Sequence, residues 1–446
     1  MAITTNFVVT TVAQLNADLA AIDLGGTSSA VNTAYTITIT KALSFTTDIT
    51  AINLAAGDTL SIQGLVGAKG TAATLNGNGA HRGFTVTAGQ VTLSNLTLQN
   101  MIARGGNGGN GKTAGGGAAG LGGTLFIAPG GAVTLNAVQF SGDRATGGKG
   151  GTKTATGTGT GGVTGLPGGF GNGGADGTVG GFGGGGSTGA TGGFGGGTGA
   201  GGGLAAGGDV FLAQGGSLVF ASGTLPAGTL TAGGAGSGGT AGNAFGSGIF
   251  AQGNATISLG NVTVTGGIAD QTGSGCTGAN AGAISLAITG ATTLAAASTY
   301  SGGTTLGAGS LTLLAANAAG SGTIAFQAAG ETLVAGAGGI PANRITGFGL
   351  GDTIDLQGIG TATLVTLAPG NELILSGGAS TASMALDPAQ SFAGLGFALS
   401  ADSAGGTSVT LVTTNYIVAT ATDLTAALLA RGGSGNSDRA IGGFPA

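Results

Sequence analysis

Ionisable side chains are scarce in this sequence: 11 Lys plus Arg, 16 Asp plus Glu and one His among 446 residues, or 6 % charged. Ordinary soluble domains carry roughly 25 %. General acid–base catalysis, metal binding and phosphate handling all need convergent ionisable groups, so the composition argues against an enzyme. The single cysteine, Cys276, excludes an intrachain disulfide framework and reads as a small incidental side chain. No apolar run reaches the roughly 18 residues of a membrane span. Residues 1–23 lack the basic segment and apolar stretch of a conventional signal peptide, so the export route is not visible there. A net charge of −5 argues against nucleic acid or anionic membranes as partners, since both favour basic patches.

What the chain does have is 105 Gly, together with 41 % hydrophobic residues. The apolar residues fall in short Val/Ile/Leu/Thr runs of strand length, which separates the chain from a disordered glycine-rich polymer. Three segments align without gaps: Gly122–Leu135, Gly207–Phe220 and Gly246–Leu259. In each, an aliphatic–Phe pair (Leu125-Phe126, Val210-Phe211, Ile249-Phe250) is followed seven residues after the Phe by a second apolar strand, with Gly between. A second pattern overlaps the first in Val91–Leu98, Val133–Phe140 and Ile257–Val264. Its apolar residues occupy the first, third, sixth and eighth places, so period-2 alternation breaks once and resumes on the same face. Strand, bend, strand on successive turns of one core is the pattern of a parallel β-helix.

The glycine-rich middle, about residues 105–203, repeats Gly-Gly-Phe-Gly at Phe170, Phe182 and Phe194, twelve residues apart. The spacing predicts that each Phe anchors one excursion of the chain to an apolar surface. The excursions themselves are expected to be packed, polyproline-II-like loops in which the missing Cβ lets backbones approach. The tail copies the head: Asn6-Phe7-Val8-Val9 resembles Asn415-Tyr416-Ile417-Val418, and each passes into a stretch of helical apolar spacing. A strand followed by an amphipathic helix suits an end cap over exposed strand edges. The copy implies that the tail either begins a further repeat or docks on the head of a neighbouring subunit.

Thr299–Leu313 and Ile345–Leu356 carry strand-repeat motifs, as do Phe397–Ser400 with Gly405-Gly406-Thr407. In these motifs the sequence resembles the bacterial β-strand-repeat exoproteins, the filamentous-haemagglutinin-like and autotransporter-passenger adhesins. The resemblance implies a right-handed parallel β-helix and an extracellular or cell-surface location in a bacterium. The motifs are structural and imply architecture rather than activity. The family's C-terminal membrane barrel has no counterpart in the chain, which puts self-translocation in doubt.

Candidate sites are few. Gly111-Lys112-Thr113 supplies the tripeptide of a phosphate loop, but more Gly follows where a helix should. Asp176, in Gly173-Gly174-Ala175-Asp176-Gly177, fits one unit of a calcium-binding nonapeptide repeat, but no second unit follows. Asp352 and Asp355 form the closest carboxylate pair of the C-terminal half. Residues three apart in a strand point to opposite faces, which favours turn-building over a shared ion. No cofactor is expected, and calcium is the one ion left open. His81-Arg82 has catalytic flavour, but the sequence offers it no nearby acidic partner. Glu331 and Glu372 are the only glutamates, so the paired carboxyl groups of a polysaccharide hydrolase or the cluster of a lyase cannot be assembled. Thr36-Ile37-Thr38-Ile39-Thr40 places three hydroxyls on one strand face, read as ordinary alternation rather than an ice-binding array.

These observations predict an all-β chain: a right-handed parallel β-helix with a glycine-rich loop layer over residues 1–290. A continuing passenger-like portion is expected over 291–412 and the head-like tail over 413–446. The expected function is a non-catalytic extracellular structural protein. It would self-associate end to end, through Asn6, Phe7, Val8 and Val9 against Asn415, Tyr416, Ile417 and Val418, into surface fibres or biofilm-matrix filaments. A monomeric adhesin binding cell-surface or matrix glycans is the first alternative, and a β-helix polysaccharide lyase or hydrolase the second.

Overall fold

The computed structural model describes residues 3–65, 72–166, 169–278 and 281–414. The chain is nearly all β, and most of its strands belong to large, mainly parallel sheets. One long ladder starts at Ile3–Val9, which pairs with Thr33–Ile39, then Thr59–Gly64 and Phe84–Gln99. It continues through Gly131–Ser141, Ser217–Leu225 and Ala255–Val264 to Ile284–Ile288, Thr304–Leu306 and Ile324–Phe326. A companion row, Ala291–Leu294, Ser310–Leu313, Thr332–Ala335 and Thr353–Leu356, runs beside its later strands.

Alternation explains the ladder. Thr33–Ile39 buries every second residue, and the register keeps those positions in column. Ile37, Ile62, Leu93, Leu135, Phe220, Leu259, Ile288, Leu306 and Phe326 lie on successive strands in one line. All belong to one hydrophobic core. Burying each such side chain contributes about 1.5–3 kcal/mol, so the column is held by its neighbours rather than by any one strand. The break in alternation has a backbone cause. Asn95 and Ala137 occupy the same place on neighbouring strands and both adopt left-handed φ, 54° and 53°, which turns the strand and returns its apolar face inward.

The helix Val12–Ile22 follows the first strand. Thr11 caps it, with Gln14 N–H donating to Thr11 Oγ1 at 3.2 Å. Val12, Leu15, Leu19 and Ile22 recur on one face and join the core, so the helix adds apolar cover beside the first strand.

The far end departs from expectation. Residues 291–412 were expected to continue as parallel strands, and they do so to Leu356. Beyond it, Leu364–Ala368, Glu372–Ser376 and Ala382–Ala385 form a separate antiparallel sheet. Thr353–Leu356 pairs antiparallel with Thr407–Thr413, which pairs antiparallel with Leu395–Ala401. The Phe397–Ser400 and Gly405–Thr407 motif is therefore a hairpin. Asp402 closes its turn, accepting from Ala404 N–H and Gly406 N–H at 2.8 and 2.6 Å, and such Asp-led turns favour a local hairpin over a long crossover. The tail positions Asn415, Tyr416, Ile417 and Val418 lie outside the described residues.

Candidate functional site

Three features could carry function: the glycine-rich layer, the scattered polar groups, and the ends of the ladder. The layer comes first because it is the largest. Between Gly105 and Asn243 the chain makes repeated passes that hydrogen-bond at intervals of three residues. Gly105, Gly108 and Gly111 donate to the carbonyls of Thr146, Lys149 and Thr152, and Gly147 and Gly150 to those of Thr231 and Gly234. A three-residue period is that of polyproline II, whose backbone groups point outward to neighbouring chains. Where an ordinary residue would carry Cβ, Gly116 meets the Gly185 carbonyl oxygen at 1.9 Å and Gly203 meets that of Ala118 at 1.8 Å. No side chain fits there. The layer also reaches further along the chain than 105–203, because Gly236 and Gly242 donate to Ala200 and Gly233.

Two rows of phenylalanine join the layer to the ladder. Phe126, Phe211 and Phe250 stack on adjacent strands with ring centroids 5.4 and 5.5 Å apart. Phe170, Phe182 and Phe194 form a second row at 5.6 and 5.2 Å. The rows meet edge to face, as in Phe170–Phe211 at 6.0 Å and Phe182–Phe211 at 5.8 Å, a favoured arrangement for aromatic quadrupoles. Together with Leu121, Leu166 and Leu204 they make a second core. Arg82 adds a polar tie: its guanidinium donates to the Leu121 carbonyl at 2.8 Å and the Thr164 carbonyl at 3.4 Å. Burial lowers its pKa to about 10.

His81 does have an acidic partner, contrary to the sequence reading. Asp48, 33 residues upstream, accepts from Arg82 N–H and lies 3.1 Å from His81 Nδ1. Strand stacking brings it there, which no local motif could signal. Gly111-Lys112-Thr113 is a short strand paired with Lys153–Thr158.

The calcium candidates are dispersed. Asp176 accepts from Thr113 Oγ1. Asp352 accepts from the backbone N–H groups of Gly330, Glu331 and Gly349. Asp355 accepts from Ser408 Oγ and faces Asp402. Among the described residues, no three His, Cys, Asp or Glu side chains converge on a metal position. Asp270 likewise serves the fold, accepting from Gly273, Ile284 and Ser301 N–H and from Ser301 Oγ.

Sequence reasoning missed one pair. Asp143 and Asp209 are both fully buried, and their carboxyl groups face each other with the Thr124 hydroxyl beside them. Asp143 Oδ1 accepts from Met101 N–H at 2.8 Å. Burial pushes the Asp143 pKa up to about 7, and burial together with Asp143 pushes that of Asp209 well up. Asp143 Oδ2, both Asp209 carboxyl oxygens and the Thr124 hydroxyl are buried without a hydrogen-bond partner among the described residues. The aligned Gly-Gly-Thr124 and Gly-Gly-Asp209 segments signalled only that Thr124 and Asp209 precede the paired strands Leu125–Ile127 and Val210–Leu212; nothing local pointed to Asp143.

At the head, Phe7 packs against the core, Val9 is buried and Val8 is 66 % exposed. Among the described residues, Ile3–Val9 pairs only with Thr33–Ile39. Comparison with protein-family models, curated proteins and solved structures found no match. Geometry alone therefore has to carry the functional reading.

The outer face of the ladder is polar without charge at one column: Thr36, Ser61, Thr92 and Thr134 lie in register. An open cleft of about 430 Å³ is lined by neutral groups, among them Ser298, Asn317, Ser321 and Asn343.

Proposed function

We propose that the chain is a right-handed parallel β-helix serving as a non-catalytic, extracellular structural protein of a bacterium. It assembles end to end into surface fibres or biofilm-matrix filaments. The observation that carries this reading is that, among the described residues, Ile3–Val9 pairs only with Thr33–Ile39, and that it has no Lys, Pro or any charge to blunt its edge. An open edge of this kind recruits another strand by β-augmentation. A contact between unlike surfaces that does not close into a ring propagates as a filament. Negative-stain microscopy and light scattering of purified protein test it. Concentration-dependent rods that Val8→Lys shortens or abolishes are expected. Monodisperse particles at every concentration, unchanged by Val8→Lys, would sink the reading.

The adhesin reading draws on the uncharged hydroxyl column and the neutral cleft, which suit a polar, uncharged ligand such as a glycan. Glycan-array binding by protein that does not assemble favours it.

A further inference from the structure

Buried side-chain oxygens without a partner are few among the described residues, and most of them gather at one corner. Of seven such atoms, four are the Thr124 hydroxyl, Asp143 Oδ2 and the two carboxyl oxygens of Asp209. All three residues are 0 % exposed. Leaving a buried oxygen unmet is costly, and more so when it belongs to a carboxylate.

Backbone contacts build the corner from stretches far apart in sequence. Thr124 N–H donates to the Asp209 carbonyl at 3.0 Å, and Thr229 N–H to the Asp143 carbonyl at 2.8 Å. A Cβ on Gly123 would meet the carbonyl oxygens of Gly208 and Arg144 at 2.2 and 2.5 Å, and one on Gly228 would meet Asp209 Oδ1 at 2.9 Å. Residues 123–124, 143–144 and 208–209 are thereby pressed together, with the two carboxyl groups facing each other. Charge is unbalanced there. Among the described residues the one ion pair is Asp48–His81, and Arg144, next to Asp143 in the chain, is exposed.

We propose that Thr124, Asp143 and Asp209 form a binding site for one calcium ion, which the chain takes up as it folds. The donors are all oxygen, which suits a hard cation rather than zinc or copper. Two carboxylates balance a divalent charge. Magnesium demands a near-ideal octahedron and sheds water reluctantly, whereas calcium accepts irregular sets of oxygens, backbone carbonyls among them. The Gly208 and Arg144 carbonyls bordering Gly123 are donors of that kind. The third side chain is a hydroxyl, so the site is distinct from a cluster of three acidic groups and from Asp176, Asp352 and Asp355. Because all three side chains are sealed from solvent, the ion enters and leaves with unfolding, and its binding is read as stability. In chelator the pair has only protons to neutralise it, so its pH dependence belongs to the calcium-free protein.

The test is refolding of the urea-denatured full chain at neutral pH in calcium chloride, magnesium chloride or EGTA. The refolded protein is desalted, its metal content is measured by atomic absorption, and its urea midpoint is determined in the same buffer. Wild type should retain one calcium per chain and unfold at a higher urea concentration than in EGTA, and magnesium should give neither result. Asp143→Asn should retain no calcium and have the same midpoint in calcium and EGTA. Thr124→Val should need more calcium for the same rise in midpoint, and it decides the matter if Asp143→Asn does not fold. Asp176→Asn should behave as wild type. Wild type that retains no calcium, with equal midpoints in calcium and EGTA, overturns the site. Calcium retained equally by Asp143→Asn, or a Thr124→Val response identical to wild type, places the ion elsewhere and also overturns it.

Discussion

The buried Asp143–Asp209 pair makes stability fall as pH rises through the range in which most proteins gain it. Asp143 titrates near its ordinary 3.8 in the unfolded chain and at about 7 in the folded one. Between those values the folded state holds a proton that the unfolded state has released. Stability therefore decreases with pH, by about 1.36 kcal/mol per unit. Over about three units the loss is on the order of 4 kcal/mol. The contribution is full below about pH 4 and gone above about pH 7. Asp209, raised further by its neighbour, has the same sign. Other carboxylates respond in the opposite direction. Asp402, held below its ordinary value chiefly by the Gly406 N–H, contributes stability that is lost as pH falls. The experiment is therefore a difference: urea unfolding of wild type and Asp143→Asn, followed by far-UV circular dichroism from pH 4 to pH 8. The asparagine has the same shape and cannot titrate. The variant should match wild type near pH 4 and exceed it progressively towards pH 8. Parallel stability curves, or a gap that closes as pH rises, would refute the raised Asp143 pKa.

Neighbouring glycines of the layer should respond oppositely to one methyl group. A Cβ on Gly233 meets the Gly148 carbonyl oxygen at 2.0 Å, whereas on Gly234 the nearest atom is Lys149 Cγ at 3.7 Å. Gly233→Ala should cost about 3 kcal/mol and Gly234→Ala less than about 0.5 kcal/mol by urea midpoint. Phe182 touches both aromatic rows; Phe182→Ala should cost about 2 kcal/mol, and protease sensitivity should rise within residues 105–243 first. Ala137 holds the left-handed φ that asparagine, as at Asn95, adopts more readily. Ala137→Asn should raise stability by about 0.5–1 kcal/mol, read as an increase in melting temperature.

Strand position was readable where one side-chain period governed the chain. Val91–Leu98 and Val133–Phe140, which share one apolar pattern along the sequence, are paired in that register in the ladder. The twelve-residue Phe spacing likewise becomes a ring stack with one step per repeat. Local patterns failed where pairing partners are distant. Asp48 reaches His81 across 33 residues, and Asp143 reaches Asp209 across a span of unrelated glycine. The terminal hairpin is not legible in the sequence for a different reason. Gly405-Gly406-Thr407 turns the chain equally well in a stacked coil or a hairpin, and only the cross-strand partners of Thr407–Thr413 distinguish them.

The glycine-rich layer also dictates an order of events as the chain becomes ordered. Beside local bonds such as Gly184 to Gly181 and Gly193 to Gly184, its hydrogen bonds join distant passes, Gly117 to Gly201, Gly203 to Gly148, and Gly202 to Thr240. Glycine surrenders more backbone freedom than any other residue, and contacts this far apart must close long loops before they return anything. The long-range bonds of the layer form only once its distant passes have been brought together. Its scaffold is the Phe126–Phe211–Phe250 stack, which exists only once three widely separated strands have been laid side by side. The layer therefore sets last, after residue 250 has been placed, and a chain interrupted before that point retains a long glycine segment with nothing to settle on.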